Sequence, residues 1–143
     1  MPEFPPIAEL IPHAAPMLWL RRVVAHSRSE TECEVDVAAL SLLSAPDGSV
    51  PSYSALELAA QCAAAHARLA APASHAPRRG LLLGTRRLEL RVPRLAPNRA
   101  LLVRVSRLSG AEVGPVSFEV DVRDAATLEI LASGRISCFT RSV

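Results

Sequence analysis

One carboxylate stands near the start of a segment that otherwise looks built for burial: Glu57, in the stretch VPSYSALELAAQCAAAHARLAAP that covers residues 50–72. The alanine-rich pattern predicts a helix that is apolar nearly all round and that the rest of the chain must wrap. A carboxyl group placed there can serve as a general acid or base. Gln61 follows one helical turn later on the same face, within reach of a hydrogen bond to the acid. A hydrogen bond to the acid is one interpretation of Gln61, and an ordinary polar helix residue bonded to water is the other.

The start of this helix also allows a structural interpretation of the same carboxylate. Ser54 and Glu57 match S-x-x-E, the capping box, in which the Glu side chain satisfies a free backbone N–H at the helix start. From the segment alone, capping and catalysis are both open. The working pKa is open as well, because burial raises the pKa of a carboxyl group whereas a helix N-terminus lowers it.

Histidine is the other side chain with acid–base chemistry near neutral pH, and the chain has four. His13 lies in the segment P-H-A-A-P and is either a base close to the acid or a loop residue bonded to backbone. His66 lies nine residues past Glu57 and is expected near a dimer interface or the rim of a sheet. His26 and His75 are expected at the end of a strand and in a linker.

The composition fits a single domain over residues 1–143 with a core of Ala, Leu and Val, since half of the residues are hydrophobic and only 3% are aromatic. The net charge of +2 gives no argument for nucleic acid. Cys33, Cys62 and Cys138 lack metal-site spacing and are expected to be buried thiols in a reducing compartment. The sequence has no secretory signal pattern, membrane-span pattern or phosphate-binding loop. We expect a cytoplasmic protein that binds no membrane, metal or cofactor.

Strand-like segments surround the helix. Two strands are predicted before it, over residues 17–26 and 31–37, and four after it, over residues 83–92, 100–108, 116–123 and 129–139. Residues 72–80 are expected to be an irregular basic linker, and PRLAPN, SGAEVG and DAAT to connect antiparallel strands. The pattern predicts an α+β domain in which a curved antiparallel sheet wraps one long central helix, the arrangement called the hotdog fold.

Three segments, in the right order, resemble the 3-hydroxyacyl-[acyl-carrier-protein] dehydratases, and the resemblance covers almost the whole chain. IPHAAPMLWLRRVV, residues 11–24, resembles their L-P-H-x-x-P lead-in. VPSYSALELAAQ, residues 50–61, resembles the start of their helix, and LEILASGRISCF, residues 128–139, resembles their final strand. The chain looks closest to the smaller dehydratase-like branch found in aryl polyene and related clusters.

The resemblance implies that Glu57 is the catalytic acid, which helps to release the 3-hydroxyl group as water, and that Gln61, Pro51 and Tyr53 lie near the site. The family's catalytic His lies in a G-H-F-P motif, and Leu43 occupies the corresponding position here, fourteen residues before the acid. Three explanations are open. His13 takes over as the base, or water and a backbone dipole suffice, or the chain does not dehydrate by itself.

Three functions are therefore considered. The first is a dehydratase that acts on acyl thioesters in fatty acid, aryl polyene or polyketide synthesis. The second is a non-catalytic or half-catalytic partner subunit of a dehydratase heterodimer. The third is a hotdog acyl-thioesterase in which Glu57 activates water. We expect a lyase of conditional activity whose substrate is a thioester of acyl carrier protein or coenzyme A.

The resemblance also implies a dimer, with a second copy or with another hotdog subunit, joined edge to edge near residues 83–92. Open sheet edges favour such pairing. Glu57 is expected to face a narrow, mostly apolar tunnel. Four arginines are expected to meet an acidic carrier protein or the phosphate of a pantetheine arm, because a guanidinium suits phosphate, although ordinary solvated charge is the alternative. They are Arg78, Arg79, Arg86 and Arg87, and Arg91 and Arg94 continue the same arginine-rich strip.

Overall fold

The computed structural model describes residues 3–71, 78–110 and 114–142. Two α-helices lie in these ranges, α1 (Ile7–Leu10) and α2 (Ala55–Ala70). The strands are β1 (Arg22–His26), β2 (Glu30–Asp36), β3 (Val50–Pro51), β4 (Arg78–Leu90), β5 (Arg94–Leu95), β6 (Ala100–Gly110), β7 (Gly114–Asp124) and β8 (Ile130–Ser142). Short 3-10 turns cover Val37–Ala39, Ser41–Leu43 and Ser52–Ser54.

Six strands form one antiparallel sheet in the order β1-β2-β6-β7-β8-β4. The helix α2 contacts all six of these strands, so the sheet wraps around it. Buried residues alternate with less buried ones along β2 and β7, as they do in a sheet that packs one face on a core. The prediction of an α+β hotdog fold is confirmed.

Small side chains let the sheet approach α2 closely. Leu58, Ala59, Cys62 and Ala65 are fully buried along this helix. Alanine adds little width, so the strands that wrap the helix can pack against it at the density usual for protein interiors. The long apolar helix predicted from the sequence is therefore the centre of the core.

The structure corrects the predicted start of the first strand. β1 begins at Arg22, five residues later than expected. The backbone carbonyl of Met17 and the backbone N–H of Trp19 bond to the side chain of Gln61 on α2. This part of the lead-in is therefore tied to the helix instead of to a neighbouring strand.

The predicted linker and one predicted connection also contain strand. β4 already begins at Arg78, because its first residues pair with the end of β8. Residues 72–77, the rest of the predicted linker, lie outside the described residues. Within PRLAPN, the strand β5 pairs with β3 just before the helix. This small second sheet joins the chain that leaves β4 to the chain that enters α2.

His66 lies in the core, so the prediction that placed it at a rim or interface is wrong. It is 1% exposed. Its Nδ1 atom lies 2.7 Å from Oγ1 of Thr31, which lies 2.7 Å from Nδ1 of His26 in turn. Phe118 packs edge-on against the His66 ring, with the ring centroids 5.8 Å apart. The buried Thr31 hydroxyl on β2 thus gives this imidazole a hydrogen-bond partner inside the core. The helical pattern alone could not predict that partner.

This burial predicts acid-sensitive stability. Desolvation, with help from the positive charges of His26 and Arg107, lowers the pKa of His66 from 6.5 to about 4. Between these values the unfolded chain binds more protons than the folded chain, so stability is present above pH 6.5 and is lost as the pH falls towards 4. We expect the free energy of unfolding to fall with a slope approaching about 1.4 kcal/mol per pH unit in this window. Urea titrations at several pH values measure the slope.

The matched variant is His66→Gln, whose side chain is polar but does not titrate. It should fold less stably at neutral pH and show a much flatter pH profile across the same window. An unchanged slope in this variant would assign the acid sensitivity to other groups. The pKa of His26 is also lowered by burial, so a smaller slope of the same sign should remain.

Candidate active site

The carboxylate of Glu57 lies in the first turn of α2, with about a third of its side chain exposed. Its Oε1 atom accepts a hydrogen bond from Nε2 of Gln61 at 3.2 Å and lies 3.3 Å from Nε2 of His13. Ser54 makes no side-chain capping bond, and its buried Oγ has no partner among the described residues. The capping-box interpretation is therefore wrong, and the acid contacts the side chains of Gln61 and His13 instead of capping the start of its helix.

Gln61 ties the acid to the lead-in segment. The residue is 0% exposed. Its amide nitrogen donates to the carbonyl of Met17 at 2.8 Å as well as to Glu57, and its amide oxygen accepts from the backbone N–H of Trp19 at 3.1 Å. Both ends of the amide are thus engaged, and its orientation is fixed. The sequence predicted the bond to the acid, whereas the two backbone bonds were not visible in it.

Replacing Gln61 with Met should loosen this junction. Met has a similar length, but it leaves the N–H of Trp19 buried without a partner, at about 1–3 kcal/mol, and it removes the bond to the Met17 carbonyl. We expect a lower free energy of unfolding, measured by chemical denaturation. The comparison variant is Glu57→Gln, which keeps both backbone bonds of Gln61 and should change stability far less. Equal losses in the two variants would contradict the anchoring role.

His13 contacts the acid directly. Its Nε2 atom lies 3.3 Å from Oε1 of Glu57, within ion-pairing distance of the carboxylate, and the other ring nitrogen is Nδ1. That Nδ1 atom is buried and has no partner among the described residues. A base that removes the C2 proton needs room for the thioester between itself and the acid, and the 3.3 Å contact leaves none. In this arrangement His13 lies against the acid, with its Nδ1 atom shielded from a ligand.

Leu43 occupies the position where the family resemblance places a base, and its side chain cannot accept a proton. Leu43 lies in a 3-10 turn and packs, partly buried, against the core. Among the described residues, Gln61 lies within hydrogen-bonding distance of the Glu57 carboxylate and His13 within ion-pairing distance of it. Oε1 takes both contacts, which leaves Oε2 as the oxygen that can exchange a proton with a ligand.

An open groove of about 700 Å³ lies at the start of α2. Pro51 and Tyr53, predicted to be near the site, line it, and Tyr53 is 59% exposed. Leu90, Arg91, Val92, Pro93 and Arg94 form the other wall. Glu57 is not among the lining residues, so the groove is a neighbour of the acid and is not the predicted tunnel around it.

The four arginines predicted to meet a carrier do not cluster. Arg86 and Arg87 are exposed on β4, and Arg87 lies 3.4 Å from Glu119 in an ion pair. Arg78 and Arg79 lie at the other end of this 13-residue strand, roughly 40 Å of extended chain from the groove. The guanidinium groups beside the groove are those of Arg91 and Arg94.

Arg94 is held by a turn whose role the sequence analysis missed. Its guanidinium donates to Oγ of Ser49 at 2.6 Å and to the Ser49 carbonyl at 3.1 Å. Asp47 accepts from both the N–H and the hydroxyl of Ser49, and these bonds lower the pKa of Asp47. The sequence D-G-S marked a turn, but nothing in it showed that the turn would orient an arginine.

Within the described part of the chain, no three His, Cys, Asp or Glu side chains are grouped so that they could hold a metal ion. No described helix is long and apolar enough to cross a membrane.

A central helix that carries a carboxylate, wrapped by an antiparallel sheet, defines the hotdog class of proteins. The chain belongs to the ApeP-like family, described as ApeP dehydratase, whose model matches residues 5–142. This result confirms the resemblance found in the sequence. A search of curated protein sequences gave no significant match.

Solved structures agree with this assignment. The dehydratase heterocomplex ApeI:P from Xenorhabdus doucetiae is 26% identical, with 98% of this chain and 93% of that chain covered and a TM-score of 0.85. The thioesterase HI1161 from Haemophilus influenzae is 12% identical, with 85% and 78% covered and a TM-score of 0.64. A hypothetical thioesterase with coenzyme A from Streptococcus pneumoniae is 9% identical, with 85% of each chain covered and a TM-score of 0.65. The two thioesterases share the fold with this chain.

Proposed function

We propose that this chain is the acid-bearing subunit of a 3-hydroxyacyl-thioester dehydratase and that a second hotdog chain supplies the base. Dehydration removes a proton from C2 and the hydroxyl group from C3, which leaves as water. Glu57 suits the second task, because Oε1 is anchored by two neighbours and Oε2 can carry the proton that the leaving hydroxyl needs. The proton on Oε2 passes to the hydroxyl oxygen as the C3–O bond breaks, and the base takes the C2 proton.

The observation that carries this proposal is the contact between His13 and Glu57. In this contact Nε2 of His13 lies against the acid, and its Nδ1 is buried, so His13 is poorly placed to take a C2 proton. Leu43 cannot take one either. A chain that presents an acid without an accessible base is half of a dehydratase site.

The free edge of β4 supports an assembly. β4 ends the sheet, pairs with β8 on one side and has no partner strand on the other side among the described residues. It is 13 residues long, which offers a long row of backbone donors and acceptors to a second sheet. The ApeI:P relative is a heterocomplex, and this favours a different hotdog chain as the partner.

The described cysteines are free thiols, which fits a reducing cytoplasm.

The groove at the start of α2 is proposed to receive the pantetheine arm of an acyl carrier protein or of coenzyme A. Its walls are largely apolar, and Arg91 and Arg94 supply cationic donors for a phosphate. Of the four arginines predicted from the sequence, Arg86 and Arg87 remain proposed contacts for the carrier protein itself. Arg78 and Arg79, at the start of β4, remain proposed carrier contacts as well.

Replacing Arg91 with Glu should weaken binding of a phosphopantetheine thioester. The new carboxylate would repel the phosphate and remove a charged donor, so we expect KM to rise about tenfold with a smaller change in kcat. Steady-state kinetics with the carrier-bound substrate measure both constants. Arg28→Glu is the matched control, because it makes the same change of charge at an exposed residue between β1 and β2, outside the groove. Equal effects of the two substitutions would indicate general charge attraction and no phosphate contact at Arg91.

The proposed function is tested by mass spectrometry of a 3-hydroxyacyl thioester incubated with the purified chain, alone and mixed with a hotdog dehydratase chain that carries the G-H-F-P motif. We expect the enoyl thioester to form rapidly only in the mixture, with light scattering showing a complex. Rapid formation by the chain alone, and its loss in His13→Ala, would show that His13 is the base. Release of free acid and thiol would indicate a thioesterase instead.

A further inference from the structure

A chain of three polar side chains runs from the surface at β1 to the core beneath α2. His26, Thr31 and His66 are its members, and both hydrogen bonds of the Thr31 hydroxyl are 2.7 Å long. At the outer end, His26 is half-buried and borders a depression of about 190 Å³ with Ala25, Ser27, Glu30 and Glu32. At the inner end, Nε2 of His66 is buried and has no partner among the described residues.

The positions of the protons on these three side chains follow from counting the hydrogens that each can donate. A hydroxyl group has one hydrogen, so Thr31 donates to one Nδ1 atom and accepts from the other. When both rings are neutral, one of them is therefore protonated at Nδ1 and the other at Nε2. When His26 is doubly protonated, its Nδ1 must donate to Thr31, and Thr31 must donate to His66. The proton of His66 then has to be on Nε2.

When both histidine rings are neutral, the surroundings of His66 decide which of its ring nitrogens carries the proton. If His66 carried its proton on Nε2, the core would hold an N–H group with no described acceptor, and orphaned N–H groups are rare in protein interiors. The alternative places the proton on Nδ1 of His66, where Thr31 accepts it. His26 is then protonated at Nε2.

We propose that these three residues form a pH-responsive tautomer relay, in which protonation of His26 reverses both hydrogen bonds of Thr31 and moves the proton of His66 from Nδ1 to Nε2. The net change is the uptake of one proton from solvent. The charge stays on His26 at the outer end, and the core gains an unpaired N–H beside Phe118. A change in pH at the edge of the sheet thereby reaches α2, the helix that carries Glu57.

The surroundings place the charge on the outer ring. Burial lowers the pKa of His66, and so does the positive charge of Arg107 on β6. Glu30 and Glu32 on β2 border His26 and can stabilise its cation. Cys62 on α2 contacts Thr31 through the backbone carbonyl of Thr31, with Sγ 3.5 Å away, and leaves the hydroxyl to the histidines.

Long-range proton–nitrogen NMR spectra of histidine-labelled protein, taken from about pH 8 to about pH 5, test the relay because they distinguish the two tautomers. We expect His66 to be protonated at Nδ1 at the upper pH and to change to Nε2 with the same midpoint at which His26 becomes doubly protonated. A His66 ring that is already protonated at Nε2 at the upper pH would overturn the proposal. So would a tautomer that stays constant while His26 titrates.

Two variants extend the test. Thr31→Val removes the hydroxyl and should make the His66 tautomer independent of the protonation of His26. If Thr31→Val does not fold, His26→Gln serves instead, because the half-buried position at the end of β1 tolerates a polar amide and removes the titrating group. His66 should then keep one tautomer over the whole range. A change of tautomer with an unaltered midpoint in either variant would overturn the relay.

Discussion

Replacing Glu57 with Gln is expected to lower the dehydration rate of the assembled enzyme by about 10²–10⁴-fold, the usual contribution of a positioned acid or base. The amide has the same shape, and its oxygen can still accept from Gln61, so the site should stay folded. It cannot supply a proton to the leaving hydroxyl group. Single-turnover formation of the enoyl thioester, measured in the mixture with the partner chain, reports the chemical step.

The control for this substitution is Glu129→Gln, which makes the same change at an exposed residue in the turn before β8. It should leave the rate within a factor of about two, as is usual for surface substitutions away from a site. A full rate in Glu57→Gln would show that both catalytic groups belong to the partner. In that case this chain would serve only to complete the assembly.

The largest effect on stability is expected from Gly134→Ala. A Cβ atom at this position would overlap the carbonyl oxygen of Arg87 and approach its carbonyl carbon to 3.0 Å and Cα of Leu88 to 3.1 Å. These are backbone atoms of β4, which cannot rotate away as a side chain can. The free energy of unfolding should fall by about 1–3 kcal/mol or more, as in overpacked cores. Urea denaturation measures the loss.

Gly84→Ala is the matched control, since it adds the same methyl group to the same pair of strands. An added Cβ there meets nothing within 4 Å. We therefore expect a small change, which can be stabilising because Ala restricts the unfolded chain. If both substitutions cost the same, the cause would be the loss of glycine in a strand and not the close approach of β4 to Gly134.

The sequence was most informative where one element was nearly uniform in character. The apolar run of α2 predicted a wrapped helix, and period-two alternation located the main strands on both sides of it. The strand starts were harder to predict, because they depend on contacts between distant residues. The lead-in around Met17 is apolar enough for a strand, yet its backbone bonds to a side chain 44 positions away.

The candidate site divides in the same way. The acid and Gln61 could be predicted because both lie on one helix, where spacing fixes their relation. The position of His13 depends on how the lead-in docks, and the helical pattern alone could not decide whether it faces the acid or leaves a gap. The prediction for His66 failed because its partner, Thr31, lies on another element, and a buried polar pair has no periodic signature.

The pairing of β3 with β5 has a mechanical consequence. Ser52, in the turn that opens α2, bonds to the carbonyl of Pro93 through both its backbone N–H, at 3.2 Å, and its hydroxyl, at 3.1 Å. Pro93 follows the last residues of β4, the strand whose outer edge is free. The turn before the acid-bearing helix is therefore hydrogen-bonded to the residues that follow β4, the strand whose free edge is proposed to pair with a partner. In the proposed assembly, a chain that docks at that edge would bind the same strand whose end holds the turn ahead of Glu57.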